Sequence, residues 1–236
     1  MKIHVRLFCV ILIAFCLGSF ARCGAPDFEG IITWSISRSY SDPQKEAEIQ
    51  AMLKSLSEQT GDSEPHVLLN QITIKLKDGS SLVDMSGDAD PTANLYLFQR
   101  DKNRLYLVSH SDKVYRDVTS LVEQDQVSVV RTTEIQRILD YNCVKTIVST
   151  KNLEQTFWTT EEIKNFDLRG LIRQSLAPGV LRETLFYEGI GGVPLRIEIK
   201  NETSTQIMQV TEIRPEKLDS NDFSIENYKE IKIPQN

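Results

Sequence analysis

Apolar and polar residues alternate along much of this chain with a period of two, which is typical of a β-strand that buries one face. The alternation is clear in residues 28–37, 72–76 and 195–200. Turn-forming residues separate such segments at 78–79, 101–103 and 201–203. Roughly ten or more strands at this spacing predict a mainly β chain with one large antiparallel sheet or barrel.

Two segments depart from this alternation and have helical spacing instead. In residues 43–59, four apolar residues recur at helical intervals after a start signal at residues 42–43. The four are Ile49, Met52, Leu53 and Leu56. In residues 160–175, two acidic residues and then a group of apolar residues follow Thr160. We expect an amphipathic helix in the first segment, and a helix or a pair of helical turns in the second.

Residues 95–98 and 105–108 are apolar or aromatic at both alternating positions, so both faces of these strands need cover. The two helices can cover the second face completely, which makes a filled two-layer core. They can also cover it incompletely, which leaves a lined cavity. The predicted fold is a single curved antiparallel sheet with two helical segments packed on its concave face.

The N-terminus has the order of a secretory signal peptide. Lys2 and Arg6 precede an uninterrupted apolar run at 7–17, and small residues follow this run. The run has 11 residues, whereas a membrane-spanning helix needs about 20. The sequence predicts a cleaved signal over residues 1–21 and a single β-rich domain over 22–236, exported to the periplasm or cell envelope.

Two other forms of processing are open. Cleavage after Ala25 is a second choice, although it places Pro26 directly after the cut bond. Cys23 offers a lipid anchor, because bacterial lipoproteins are cut just before a lipid-bearing cysteine. That processing requires a small residue before the cysteine, and Arg22 occupies this position. The main prediction is therefore a soluble exported protein, with a lipid anchor through Cys23 as the alternative.

The charge balance excludes one class of partner. The full chain has a net charge of −6. Removal of Lys2 and Arg6 with the signal leaves 25 basic against 33 acidic residues, a net charge of −8. Nucleic-acid binding relies on clustered Lys and Arg that release counterions, so we expect no nucleic-acid partner. Adsorption to anionic lipid is disfavoured for the same reason.

Chemistry-bearing motifs are largely missing from the sequence. It contains neither a Gly-x-Ser-x-Gly elbow nor a phosphate-binding loop, so we expect a non-enzymatic protein without a cofactor. The cysteines and histidines of the mature chain lack zinc-site spacing, so no metal is expected. Cys23 and Cys143 are free to pair in an oxidising compartment, and a single buried Cys143 is the alternative.

Aromatic and apolar residues of the strands and helices are the candidates for lining an apolar ligand site. They are Trp34, Met52, Leu56, Tyr96, Phe98, Tyr106, Phe157, Trp158 and Phe166. The other interpretation of these residues is ordinary core packing, which is the usual role of buried aromatic side chains.

Several segments resemble a family of exported bacterial β proteins of unknown function. They are residues 27–32 (Asp-Phe-Glu-Gly-Ile-Ile), 138–145 (Ile-Leu-Asp-Tyr-Asn-Cys-Val-Lys), 156–163, 192–195 and 210–213, followed by Leu218, Asp219, Phe223 and Tyr228. Residues 167–172 read Asp-Leu-Arg-Gly-Leu-Ile and are similar, with two departures, to the Gly-Leu-Pro-Gly-Leu-Ile signature of a related group. The resemblance implies the half-barrel fold of periplasmic lipoprotein carriers (LolA-like), with helices across the concave side. It implies no activity and no catalytic residues.

These observations lead to two expectations for function. The first is non-enzymatic binding of an apolar or lipid-like ligand, or of a lipidated partner, in the concave face of the sheet. The alternative is a structural or protein-interaction module of the envelope that uses exposed sheet edges or loops. A hydrolase ranks third, because no nucleophile has a base at a recognisable spacing.

Overall fold

Twelve strands in the described part of the chain form one open sheet. The computed structural model describes residues 28–60, 70–84, 95–119, 127–150, 153–164, 166, 169–171, 187 and 189–231. The strands are β1 (Gly30–Tyr40), β2 (Gln71–Lys77), β3 (Ser80–Asp84), β4 (Leu95–Gln99), β5 (Arg104–Ser109), β6 (Val114–Asp117), β7 (Ser128–Ile138), β8 (Tyr141–Ser149), β9 (Glu154–Thr160), β10 (Val193–Lys200), β11 (Ser204–Pro215) and β12 (Lys229–Glu230). The prediction of a mainly β chain with one large, mostly antiparallel sheet is confirmed.

The strand order is β12-β6-β5-β4-β3-β2-β1-β11-β10-β9-β8-β7. Neighbours in sequence are mostly neighbours in the sheet, because short turns join antiparallel strands directly. Between β2 and β3, Asp78 and Gly79 have φ values of 51° and 75°, the left-handed backbone that a tight hairpin turn requires. The exceptions are the long-range antiparallel pairing of β1 with β11 and the parallel pairing of β12 with β6. Strand β1 therefore joins two antiparallel halves of the sheet.

The principal core lies on one face of the sheet. In β1, alternation places Ile32, Trp34 and Ile36 on this face. Each of the other strands except β6 and β12 adds at least one buried side chain to it. The segment between β9 and β10 covers the core with four further buried side chains. These are Ile163, Leu171, Tyr187 and Ile190.

A second, smaller core lies on the opposite face of the β1–β6 half. It contains Ile31, Leu82, Leu97, Tyr106 and Val108 of the sheet, covered by Leu218, Phe223 and Ile225. The covering residues belong to the C-terminal segment, residues 216–231, which includes a 3-10 helix at Ser220–Phe223. The two-faced apolar strands β4 and β5 are thus explained, because each contributes alternate residues to both cores.

The predicted first helix forms as α1 (Pro43–Thr60). Its placement on the core is not confirmed, since its described side chains are exposed or half-buried and Met52 is 54% exposed. In the second predicted segment, residues 161–163 form bends and residues 169–171 are helical. Part of that segment, residues 165, 167–168 and 172–175, lies outside the described residues. Within the described ranges, no helix combines the length and the apolar character needed to cross a membrane.

Candidate functional site

Five of the nine predicted lining residues come together in the principal core. Trp34, Phe98 and Phe157 are fully buried, and Tyr96 is 8% exposed. Phe166 is partly buried and packs against the same cluster. These side chains are core residues in the structure, in agreement with the alternative of ordinary packing, and they lie on the face that the segment between β9 and β10 covers.

The remaining four predicted residues lie elsewhere. Tyr106 belongs to the second core on the opposite face, where its ring meets that of Tyr115 edge to face at 5.5 Å. Met52 is largely exposed on α1, and the side chain of Leu56 lies outside the described part of that helix. Trp158 follows Phe157 in β9, so its side chain lies on the other face, although it is partly buried and also packs against the principal core. The sequence-based list combined residues of both sheet faces, so one site cannot include all of them.

The principal core also contains polar atoms. Trp34 Nε1 is buried and has no hydrogen-bond partner among the described residues. Gln155 Nε2 donates to the hydroxyl of Tyr187 at 3.0 Å, and the Tyr187 ring packs edge to face against Phe157. A buried donor without a partner costs free energy.

A polar cleft lies on the face opposite the principal core, where β8, β9 and β10 run side by side. It has a volume of about 300 Å³ and is lined by Lys145, Glu154, Thr156, Trp158, Glu198 and Lys200. The pairing register of β8, β9 and β10 brings these side chains together. Trp158 lies opposite Lys145 of β8 on one side and Arg196 of β10 on the other. Thr156 pairs with Glu198, and Glu154 with Lys200. We call this feature the open-face cleft.

The surface around the cleft continues across β11 and β1. Ser35, Ser37 and Ser39 of β1 are exposed, and Thr205, Ile207 and Gln209 of β11 are half-buried. We call the outward face of β1 and β8–β11 the open face. It is a polar surface with one half-buried tryptophan near its centre.

Ion pairs fix the charged side chains of the open-face cleft. Lys145 Nζ donates to both carboxylate oxygens of Glu134, at 3.0 and 3.1 Å, and lies 6.0 Å from the centre of the Trp158 ring. Arg196 Nε donates to Glu198 Oε1 at 2.8 Å, and its Nη1 donates to Gln209 Oε1 at 3.1 Å. Of the six lining residues, the sequence singled out Trp158 alone, because charged residues at alternate strand positions are ordinary on any exposed face.

The comparison with protein families identifies the chain. The family model described as "Domain of unknown function (DUF4412)" matches residues 63–227. The chain belongs to the DUF4412 family. The expectation of a family of unknown function is confirmed, whereas the LolA-like fold and the signature group stay predictions. None of the curated proteins matches this DUF4412 sequence.

Two solved structures of PNGF-II, in the C2 and P21 space groups, are similar to the DUF4412 chain. The identities are 16% and 15%, and the TM-scores are 0.43 and 0.45. In both comparisons the alignment covers 86% of this chain and 31% of the other. The DUF4412 chain thus spans about a third of the length of PNGF-II. A likeness at this level supports no conclusion about fold or function.

In the DUF4412 chain, Cys143 and His110 both lie in partly or fully buried surroundings that shift their pKa values. Cys143 is buried and forms no disulfide with any of the described residues. Burial raises the pKa of its thiol to about 11, and the nearby Glu162 carboxylate adds to this increase. Cys23 lies outside the described residues.

His110 Nδ1 lies 2.6 Å from the Tyr228 hydroxyl, and burial lowers the His110 pKa. Among the described residues, no group of His, Cys, Asp and Glu side chains is placed to hold a metal ion.

Proposed function

We propose that this DUF4412 protein is exported to the cell envelope and acts by binding, without catalysis, through its open face. The observation that carries this proposal is the open-face cleft. There, a half-buried tryptophan lies among charged side chains that ion pairs hold in place. Surface arrays of this kind are typical of interaction modules, in which aromatic residues and arginine provide much of the binding free energy.

The charged side chains of the cleft are more buried than is usual for an exposed sheet face. Lys145, Glu198 and Arg196 are 23%, 20% and 26% exposed, whereas Lys200 at the rim is 69% exposed. Charged residues are mostly exposed unless they are paired. Their ion pairs restrict the rotamers of these side chains, so the surface loses little conformational entropy when a partner binds.

The sheet edge at β7 offers the same module a second contact region. Val130 and Ile135 are 53% and 68% exposed, and β8 is the partner strand of β7 in the described sheet. An edge strand presents unpaired backbone groups to a partner. However, a register shift between Arg131 and Ile135 interrupts the strand, and such bulges hinder continuous edge pairing. The open face therefore carries the proposal, and the edge is secondary.

A second candidate function is binding of an apolar or lipid-like ligand, or a lipidated partner, at the principal core. Two observations favour it. The core is covered by a segment that is irregular at residues 161–164, and its Trp34 Nε1 has no hydrogen-bond partner in the described part of the chain. In this candidate, the sheet acts as a LolA-like half-barrel. The cover moves aside so that apolar walls replace water around an acyl chain.

Native mass spectrometry of the mature protein from its own envelope fraction separates the two candidates. Open-face binding predicts a bare chain at the mass expected for cleavage after Ala21. A lipid-sized mass that disappears on denaturation would favour the second candidate and contradict the first. A mass increase that survives denaturation would instead reveal a lipid anchor at Cys23.

Co-sedimentation with purified envelope fragments tests the surface itself. We expect Trp158→Ala to reduce the affinity about tenfold or more, because truncation of a central aromatic residue removes a major contact. Arg104→Ala is the matched control, since Arg104 is ion-paired with Asp117 on β5, outside the open face, and should bind like the unmodified protein. Equal loss in both variants, or no loss in either, would contradict the assignment to the open face.

A further inference from the structure

We infer that the open-face cleft is a binding site for an uncharged carbohydrate. The assignment rests on the proposed function, because it names the ligand class for the same surface. It differs from the apolar-ligand candidate in both the sheet face and the chemistry of the ligand. Three features of the cleft support it: its lining, its charge balance and its size.

The lining combines one aromatic ring with hydrogen-bonding groups of both kinds. A sugar ring has an apolar C–H face and a rim of hydroxyl groups, each of which donates and accepts hydrogen bonds. Trp158 offers a half-buried aromatic surface for the apolar face. Around it, the carboxylates of Glu154 and Glu198 accept hydrogen bonds, the ammonium of Lys200 donates them, and Thr156 does both. This combination matches a polyhydroxylated ligand better than a purely apolar one.

The charge balance favours a neutral ligand over an ion. The lining contains two lysines and two glutamates, so it has no surplus charge. Lys145 is further committed to Glu134, and Glu198 to Arg196, over distances of 2.8–3.1 Å. An anion would have to compete with Glu134 for Lys145, and a cation would have to compete with Arg196 for Glu198. Neutral hydroxyl groups can add to these ion pairs without breaking them.

The size of the cleft sets the length of the ligand. Its volume of about 300 Å³ is at the lower limit of usual small-molecule sites, which range from roughly 300 to 1,000 Å³. The lining spans three adjacent strands, about 10 Å in the direction perpendicular to them. A segment of one to a few sugar units therefore fits, and a longer glycan would continue along the polar side chains of β11 and β1.

Tryptophan fluorescence gives a direct test, because the chain contains two tryptophans and Trp34 is 1% exposed. In a Trp34→Phe variant, checked for folding by circular dichroism, the emission reports Trp158. We expect a saturable change on titration with at least one of four neutral probes, namely cellotetraose, maltotetraose, mannotetraose and chitotriose. Tri-galacturonate, an anionic sugar, should give no saturable change. Calorimetry with the unmodified protein provides a second measurement of the same affinity.

Two variants locate the site. Lys200→Ala changes a largely exposed side chain and Glu198→Gln keeps the side-chain shape, so both should fold. Each is expected to weaken binding of the responding sugar about fivefold or more, because each removes a charged hydrogen-bonding partner. Arg104→Ala, on β5 outside the open face, should bind normally. The inference is overturned if no neutral probe binds up to about 10 mM, if the anionic sugar binds instead, or if the cleft variants bind unchanged.

The outcomes also separate this inference from the proposed function. If no probe sugar binds but Trp158→Ala still reduces co-sedimentation with envelope fragments, the open face binds another class of partner and the carbohydrate assignment is wrong. If neither assay responds to cleft variants, both are wrong. Release of new reducing ends from a probe sugar would contradict the non-enzymatic part of the proposal.

Discussion

At the scale of single residues, the chemistry of Cys143 follows from its burial. The side chain is 0% exposed, and its pKa is raised to about 11. At pH 8 only about one thiol in a thousand is then ionised, and the thiolate is the reactive form. We expect no reaction of the native protein with Ellman's reagent at pH 8, and one rapidly reacting Cys143 thiol in urea.

The same experiment tests the predicted Cys23–Cys143 disulfide. If urea exposes no thiol until a reductant is added, the two cysteines are paired in the exported protein. Rapid labelling of the folded protein would instead contradict the buried position of Cys143. The intact mass of the alkylated protein shows whether Cys23 is free, disulfide-bonded or lipidated.

Glu29 shows how one half-buried carboxylate supports the C-terminal segment. It accepts hydrogen bonds from the ammonium of Lys77 and from the backbone N–H of Leu218, the latter at 2.7 Å. These bonds, with the Lys77 bond the larger cause, lower the Glu29 pKa. Because the folded-state pKa is below the unfolded value of about 4.3, this contribution to stability is present above pH 4.3 and disappears as the pH falls through the folded-state value.

We therefore expect Glu29→Gln to lower the free energy of unfolding at pH 7, with a smaller difference from the unmodified protein at pH 3. Urea denaturation at both pH values measures this. Glu226→Gln, at an exposed position of the same C-terminal segment, is the control and should change stability little at either pH. A Glu29→Gln effect that is equal at pH 7 and pH 3 would show that the carboxylate charge plays no part.

At the scale of secondary-structure elements, close packing explains why residue 170 of the Asp-Leu-Arg-Gly-Leu-Ile segment is a glycine. A Cβ atom at this position would lie 2.6 Å from Ser81 Oγ and 2.9 Å from Phe98 Cδ1. Ser81 is in β3 and Phe98 is in β4, so the absence of a side chain lets the helical residues 169–171 lie directly on two strands. Leu171 can then fill the principal core next to them.

We expect Gly170→Ala to destabilise the fold by about 1–3 kcal/mol, the usual cost of overpacking a core. Gly191→Ala is the matched control, because the nearest atoms to an added Cβ there are side-chain atoms of Arg131 and Glu161 at 3.5 Å, which is ordinary contact. Urea denaturation of both variants compares them. A Gly170→Ala variant as stable as Gly191→Ala would show that residues 169–171 do not pack closely on β3 and β4.

At the scale of the whole molecule, the C-terminal segment and α1 differ in how they relate to the sheet. Phe223 of the C-terminal segment is 9% exposed in the second core. Gln99 Nε2 donates to its backbone carbonyl at 2.7 Å. Met52 of α1 is 54% exposed. The C-terminal segment is therefore part of the folded core, whereas the described side chains of α1 contribute little to it.

We expect Phe223→Ala to lower the free energy of unfolding by about 3 kcal/mol, and Met52→Ala to change it by less than about 0.5 kcal/mol. Phe223→Ala should also increase the binding of the dye ANS, because apolar residues of the second core become accessible. Thermal and urea unfolding measure both variants. A loss above about 2 kcal/mol for Met52→Ala would support the original expectation that α1 packs on the sheet.

The sequence by itself determined the local structure. The period of two and the turn residues are set by neighbours along the chain, so they predicted a mostly antiparallel sheet and its hairpin turns. The spacing of Ile49, Met52 and Leu56 predicted α1 for the same reason, and the observed helix begins at Pro43 as expected. Short segments of the sequence also indicated a family of unknown function, as the family model confirms.

The tertiary structure alone decided which faces are covered and which side chains meet. Alternation shows that Phe157 and Trp158 lie on opposite faces, but it does not show which face is buried. That depends on segments distant in sequence, such as the C-terminal segment that covers Ile31 and Tyr106. The open-face cleft likewise depends on register among β8, β9 and β10, which places Lys145 and Glu198 beside Trp158. Strand register and burial are long-range properties, so no local pattern in the sequence specifies them.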